Sequence, residues 1–122
     1  MACLLALSAD LLFGSRLQAD MATAGHELEL IADERRLRER LADPSAAPAA
    51  ALIADLTDDR LDGASIREAL AADGLLGELR TLAFYSHVDA AVRARAEQAG
   101  FDLVVPRSRM AREGATLLSG LL

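Results

Sequence analysis

The chain has 122 residues, about half of them apolar and about a quarter charged, which suits one globular domain whose core needs neither disulfides nor a structural metal. A formal net charge of −6 argues against nucleic-acid binding, because there is no excess of cations to displace counterions from phosphates. No stretch approaches the roughly 20 apolar residues of a membrane span, and the single cysteine, Cys3, rules out a disulfide framework and points to a reducing, cytoplasmic setting.

Ala2 to Leu7 is a continuous apolar run and reads as a buried strand rather than a signal peptide, since no basic segment precedes it. Cys3, among apolar neighbours, is expected to be a buried, inert thiol. From Leu12 or Phe13 to Ala24 the period turns helical, with Phe13, Leu17 and Met21 on one face and Gly25 just past the end. Glu27 to Ala32 alternates and then runs apolar, as a strand near a sheet edge does. Asp33 is placed to cap a short helix, Glu34 to Leu41, which Asp43-Pro44 stops. Its arginines, Arg35, Arg36, Arg38 and Arg40, alternate with Glu34 and Glu39, the pattern of a solvated helix face.

The stretch Ala50-Ala-Leu-Ile-Ala-Asp55 carries no charge until its last residue, so it reads as a strand buried on both faces. A polar loop follows, with Asp58 and Asp59 as solvated charges, and Asp62 caps the next helix, Ala64 to Ala72. Thr81 to Tyr85 forms the fourth strand, and Ser86-His87-Val88 leads to Asp89, the cap of a helix that Gly100 ends. Leu103 to Val105 is the fifth strand, Pro106 to Arg109 a turn, and Met110 to Leu121 the last helix, with Met110, Leu117, Leu118 and Leu121 inward.

Five apolar strands alternating with five helices mean an α/β domain spanning residues 1–122, with a five-stranded parallel sheet and helices on both faces. A flavodoxin-like strand order and half of a dinucleotide-binding fold both satisfy that pattern. The first strand leads into Ser-Ala-Asp-Leu-Leu-Phe-Gly, and neither Gly-x-Gly-x-x-Gly nor a Walker sequence occurs, so the usual nucleotide-phosphate cradles are missing. His26 and His87 have no Cys or His partner nearby in the chain and read as surface or capping residues. No nucleophile–base pair suggests a conventional enzyme.

Asp55-Leu-Thr-Asp-Asp-Arg-Leu-Asp62-Gly63 resembles the third-strand loop of response-regulator receiver domains, where the phosphorylated Asp is followed by Leu, a variable loop and Asp-Gly. Ser86-His87-Val88-Asp89 and Glu97-Gln-Ala-Gly100-Phe-Asp102 are similar to the receiver's fourth strand-to-helix junction and the stretch before its fifth strand. The likeness spans the whole chain and implies the flavodoxin-like order 2-1-3-4-5. It also implies a two-component signalling module of bacterial type, fed by a histidine kinase or other signalling protein. Output would go through protein–protein contacts; taken as complete, the chain carries no effector domain after Leu122. No nucleic-acid or membrane partner is expected, and a homodimer is among the assemblies the family allows.

By this resemblance Asp55 matches the phospho-acceptor, an exposed strand-tip carboxylate able to attack a phosphoryl donor. Ser86 matches the switch residue, with Tyr85 as the alternative one residue earlier, and Arg107 stands where the family has Lys. The family's acidic Mg2+ ligands after the first strand fall on Ser8-Ala9-Asp10, leaving a weak Mg2+ candidate made of Asp10, Asp55 and the Thr57 backbone carbonyl. Pro106 precedes the basic residue instead of following it. These departures describe an atypical receiver, with a phosphorylation-independent pseudo-receiver as the alternative. Structural readings stand beside each residue: Asp55 as a strand-ending carboxylate, Asp10 as a helix cap, Ser86 as a turn residue, and Arg107 as a fixed salt-bridge partner of Asp55.

Overall fold

In the computed structural model, which describes residues 2–86 and 88–122, five strands alternate with five helices. They are β1 (Cys3–Leu7), α1 (Leu11–Thr23), β2 (Glu27–Ile31), α2 (Glu34–Ala42), β3 (Ala51–Asp55), α3 (Gly63–Ala72), β4 (Arg80–Tyr85), α4 (Ala90–Ala99), β5 (Leu103–Pro106) and α5 (Arg107–Leu121). A single 3-10 turn, Asp59–Leu61, interrupts the β3–α3 loop. All neighbouring strands are parallel, in the order β2-β1-β3-β4-β5, so the flavodoxin-like arrangement holds.

Side-chain alternation explains both layers. Leu4 and Ala6 of β1, Ala51 and Ile53 of β3, and Leu82 and Phe84 of β4 face α1 and α5, where Phe13, Leu17, Met21, Met110 and Leu118 cover them. Leu5, Leu7 and Leu52 point the other way, onto Leu37 of α2 and Ile66 and Leu70 of α3. Ala54 and Ala83 on that same face admit a close, small-residue contact with Ala64 of α3 and Ala96 and Ala99 of α4. β3 is buried along its whole length, as its uninterrupted apolar run requires, whereas edge strand β2 exposes Glu27.

The caps anticipated from sequence form: Asp33, Asp62 and Asp89 accept the amides of Arg36, Ser65 and Val92. A Cβ on Gly63 would lie 2.6 Å from Leu56 Cδ2, so a larger residue there would have to push the Leu56 side chain aside. Gly100 closes α4 at φ 95°, and a Cβ there would lie 3.1 Å from Arg67 Nη1. Gly100→Ala therefore combines backbone strain with crowding and is expected to destabilise by about 1–2 kcal/mol, read as a lower midpoint in urea with an unchanged m-value.

Two expectations need correction. Pro106–Arg109 is not a turn: β5 runs to Pro106, and α5 begins at Arg107 with no loop between them. Pro106, extended at φ −63° and ψ 148°, serves as the residue before the helix, and the polar Arg-Ser-Arg segment is its first turn, with Ser108 and Arg109 exposed. Cys3 is half-buried rather than buried, because it begins β1 at the amino end of the sheet, where Arg40 Nη2 lies 3.5 Å from its sulfur. The arginines of α2 are engaged as well as solvated: Arg38 bridges Glu34 and Asp73, and Arg40 reaches Glu29 and the Ala47 carbonyl. Met110 and Leu118 are buried on α5 as anticipated, with Leu117 and Leu121 partly so. No helix among the described residues is long and apolar enough to cross a membrane.

Candidate functional site

The carboxyl ends of β1, β3, β4 and β5 open into a cleft of about 1140 Å³, where an open α/β sheet places its ligands. The topology brings Asp10, Asp55, Thr57, Ser86 and Arg107 to its wall, although they are spread over most of the chain. Asp10 arrives just after β1, Asp55 ends β3, Ser86 follows β4, and Arg107 is the first residue of α5.

Asp55 is not the exposed carboxylate expected of a strand tip; it is 2 % exposed. Its Oδ1 accepts the Thr57 amide at 2.8 Å and the Thr57 hydroxyl, while Oδ2 accepts the Ser8 hydroxyl at 2.8 Å. The cause is local on one side and topological on the other. Thr57 turns back over the carboxylate in the two-residue reach typical of an Asx turn, and the parallel register Leu7↔Ala54 sets Ser8 beside Asp55. Three hydrogen bonds reach this one buried carboxylate, and among the described residues it has no salt bridge.

Asp10 does two things at once. Its Oδ1 caps α1 by accepting the Phe13 amide at 3.0 Å, and its Oδ2 accepts from Arg107 Nη2 at 2.9 Å. Arg107 is therefore not the salt-bridge partner of Asp55; its ion pair is with Asp10. Its guanidinium also lies 4.3 Å from the centroid of Phe13, which stacks in turn on Phe84 at 5.0 Å and 40°. Because α5 starts directly at Arg107 and α1 packs beside α5, cap, cation and ring meet across the β1–α1 and β5–α5 junctions.

Register separates the two switch candidates. Asp55 pairs with Phe84, so Ser86, two residues on, shares the face of Asp55, whereas Tyr85 turns away and is buried. Ser86 is exposed and lines the cleft, and its carbonyl accepts the Asp89 amide. His87 lies outside the described residues. His26 sits far away at the amino end of β2, where Nδ1 accepts the Ala2 amide at 3.3 Å.

On the rim, Asp58 caps the 3-10 turn and pairs with Arg60 at 3.0 Å, so it is partly buried rather than simply solvated, and Asp59 is exposed. The Arg60 side chain and amide hold the Asp58 carboxyl below its usual range. Sequence reasoning missed Ser8, Phe13, Arg16 and Arg60 as parts of this cleft. Ser8 was recoverable, since aligning the two apolar strands β1 and β3 by their carboxyl ends sets it next to Asp55.

The cleft does not fit a divalent cation as it stands. Both oxygens of Asp10 and both of Asp55 already accept hydrogen bonds, and a guanidinium sits on Asp10. Among the described residues, no three His, Cys, Asp or Glu side chains are grouped to hold a metal ion.

No family model matches the chain, and no curated protein matches it by sequence. Solved structures do. A response regulator of Chloroflexus aurantiacus superposes with a TM-score of 0.85 at 18 % identity, covering 98 % of this chain and 96 % of that one. The chemotaxis response regulator CheY4 of Vibrio cholerae gives 0.80 at 18 %, covering 100 % and 99 %. The Mn(2+)-bound form of response regulator Rcp1 gives 0.77 at 13 %, covering 98 % and 91 %. The chain has the fold of response-regulator receiver domains, strand order included.

Proposed function

We propose that this receiver-fold chain is an atypical receiver module of two-component signalling, with Asp55 as the phospho-acceptor. The observation that carries the reading is the convergence of Asp55, Ser86 and Arg107 on one cleft at the carboxyl end of the sheet. In the reaction, an Asp55 carboxylate oxygen would attack the phosphorus of a donor such as a histidine kinase's phosphohistidine. The new O–P bond would form as the donor's P–N bond breaks. The incoming group would meet Arg107 on one side and the Ser86 hydroxyl on the other, and either contact would alter the α4 or α5 junction. Signal output would pass to a cytoplasmic protein partner, through the α4–β5–α5 side, and the module would act by contact rather than as an enzyme.

The tight clamp on Asp55 favours a second reading, in which the carboxylate is a structural acceptor and the domain is a phosphorylation-independent interaction module. Intact mass after incubation with acetyl phosphate, with and without Mg2+, separates the two. A phosphoryl adduct is expected on the native chain and is expected to vanish in Asp55→Asn. Absence of an adduct in both buffers would sink the phosphorylation reading and leave the interaction module.

A further inference from the structure

We infer that Arg107 is the resident cation of this cleft and that it keeps divalent metal out. This goes beyond the signalling reading and stands on geometry alone. Four aspartates line the cleft, and two of them already have guanidinium partners: Asp10 with Arg107 at 2.9 Å and Asp58 with Arg60 at 3.0 Å. A third guanidinium, Arg16, lines the same wall. Asp55 needs no cation, because Ser8 and Thr57 hydrogen-bond both of its oxygens.

Arg107 is the member that decides. It binds Asp10, the carboxylate that follows β1 as Asp55 ends β3, and it is held there from beneath by the face of Phe13 at 4.3 Å. A divalent ion entering between Asp10 and Asp55 would face a fixed positive charge, with twice the repulsion that a monovalent ion meets at the same distance. It would also have to strip that charge from Asp10, and guanidinium, unlike ammonium or imidazole, never releases its proton to make way. Hard divalent ions draw much of their affinity from carboxylates, so a site whose Asp10 and Asp58 are taken by guanidinium and whose Asp55 is already hydrogen-bonded has little to offer them. Arg107 acts here as a specificity-determining residue, substituting a covalently tethered charge for an exchangeable one.

The experiment is a titration of 15N-labelled chain with millimolar Mn2+, reading paramagnetic broadening of backbone amides; it involves no phosphoryl transfer, so its result is independent of whether Asp55 is ever modified. In the native chain the amides of Asp10, Asp55 and Leu56 are expected to stay as sharp as those of Leu75 and Leu79 at the opposite, amino end of the sheet. In Arg107→Ala, and equally in Arg107→Met, which keeps a side chain over Phe13 without the charge, those amides are expected to broaden beyond detection. Adding Asp10→Asn to either variant should restore them. Selective broadening in the native chain would overturn the inference, and so would sharp signals in both Arg107 variants, because the hydrogen bonds to Asp55 would then be what excludes the ion.

Discussion

Phe84→Ala is expected to cost about 3–5 kcal/mol, the range for emptying a buried aromatic site, and to lower Tm by on the order of 10 °C. Phe84 is 1 % exposed and sits near the carboxyl end of β4, between β3 and β5. Its ring fills the space under α1 and α5 and stacks on Phe13 at 5.0 Å, so truncation leaves a void that small neighbours such as Ala6 cannot close. Against a total stability of roughly 5–15 kcal/mol the loss is a large fraction. It also removes the support beneath Phe13, and with it the platform on which Arg107 rests. Chemical denaturation of native and variant chains checks the magnitude; a loss under about 1 kcal/mol would mean that α1 and α5 close over the gap.

Leu37→Ala is expected to cost about 2–5 kcal/mol and to act locally before it acts globally. Leu37 is the single fully buried side chain of α2, a helix otherwise made almost entirely of arginine, glutamate and half-exposed leucine. It enters the pocket formed by Leu5, Leu7, Ile31, Leu52 and Leu70. The ion pairs around it, Arg38 with Glu34 and Asp73 and Arg40 with Glu29, are partly solvated and worth well under the burial of one leucine. Hydrogen exchange is the measurement: amides of α2 should lose protection by more than those of β3, whose strand keeps its own contacts. Equal loss in both elements would show that α2 is docked by its ion pairs as firmly as by Leu37.

What could be read from the sequence follows physical locality. The strands were legible because a parallel sheet buried on both faces demands continuous apolar runs, and Ala51–Asp55 is such a run. Helix starts were legible because Asp33, Asp62 and Asp89 cap within three residues of themselves. The start of α5 was not, since Pro106-Arg-Ser-Arg has the composition of a turn, and only packing of Met110 inward shows that the helix begins at once. The gathering of Asp10, Asp55 and Arg107 followed from placing each at a strand's carboxyl end. Their pairing did not, because the choice of Asp10 over Asp55 rests on where Phe13 turns its ring and on Ser8 reaching Asp55 first. Those are contacts between segments far apart in the chain: strand alignment sets Ser8 beside Asp55, but no local pattern encodes the pairing of Arg107 with Asp10.

The strand order carries a consequence for how the chain folds. Each sheet pairing spans an intervening helix, so every one must close a long loop. Pairing Leu4 with Ala51 closes about twice the loop that pairing Cys3 with Glu27 does, yet doubling a loop costs only about 0.6 kcal/mol of entropy. Apolar content then outweighs proximity: β3 is buried throughout, while β2 keeps Glu27 in solvent. The β1–β3–β4 slab is accordingly the natural nucleus, with β2 joining the edge afterwards. Since the Ser8–Asp55 bond spans β1 and β3, the floor of the cleft would be laid down in the earliest step of assembly, and its Asp10–Arg107 roof only when β5 and α5 dock.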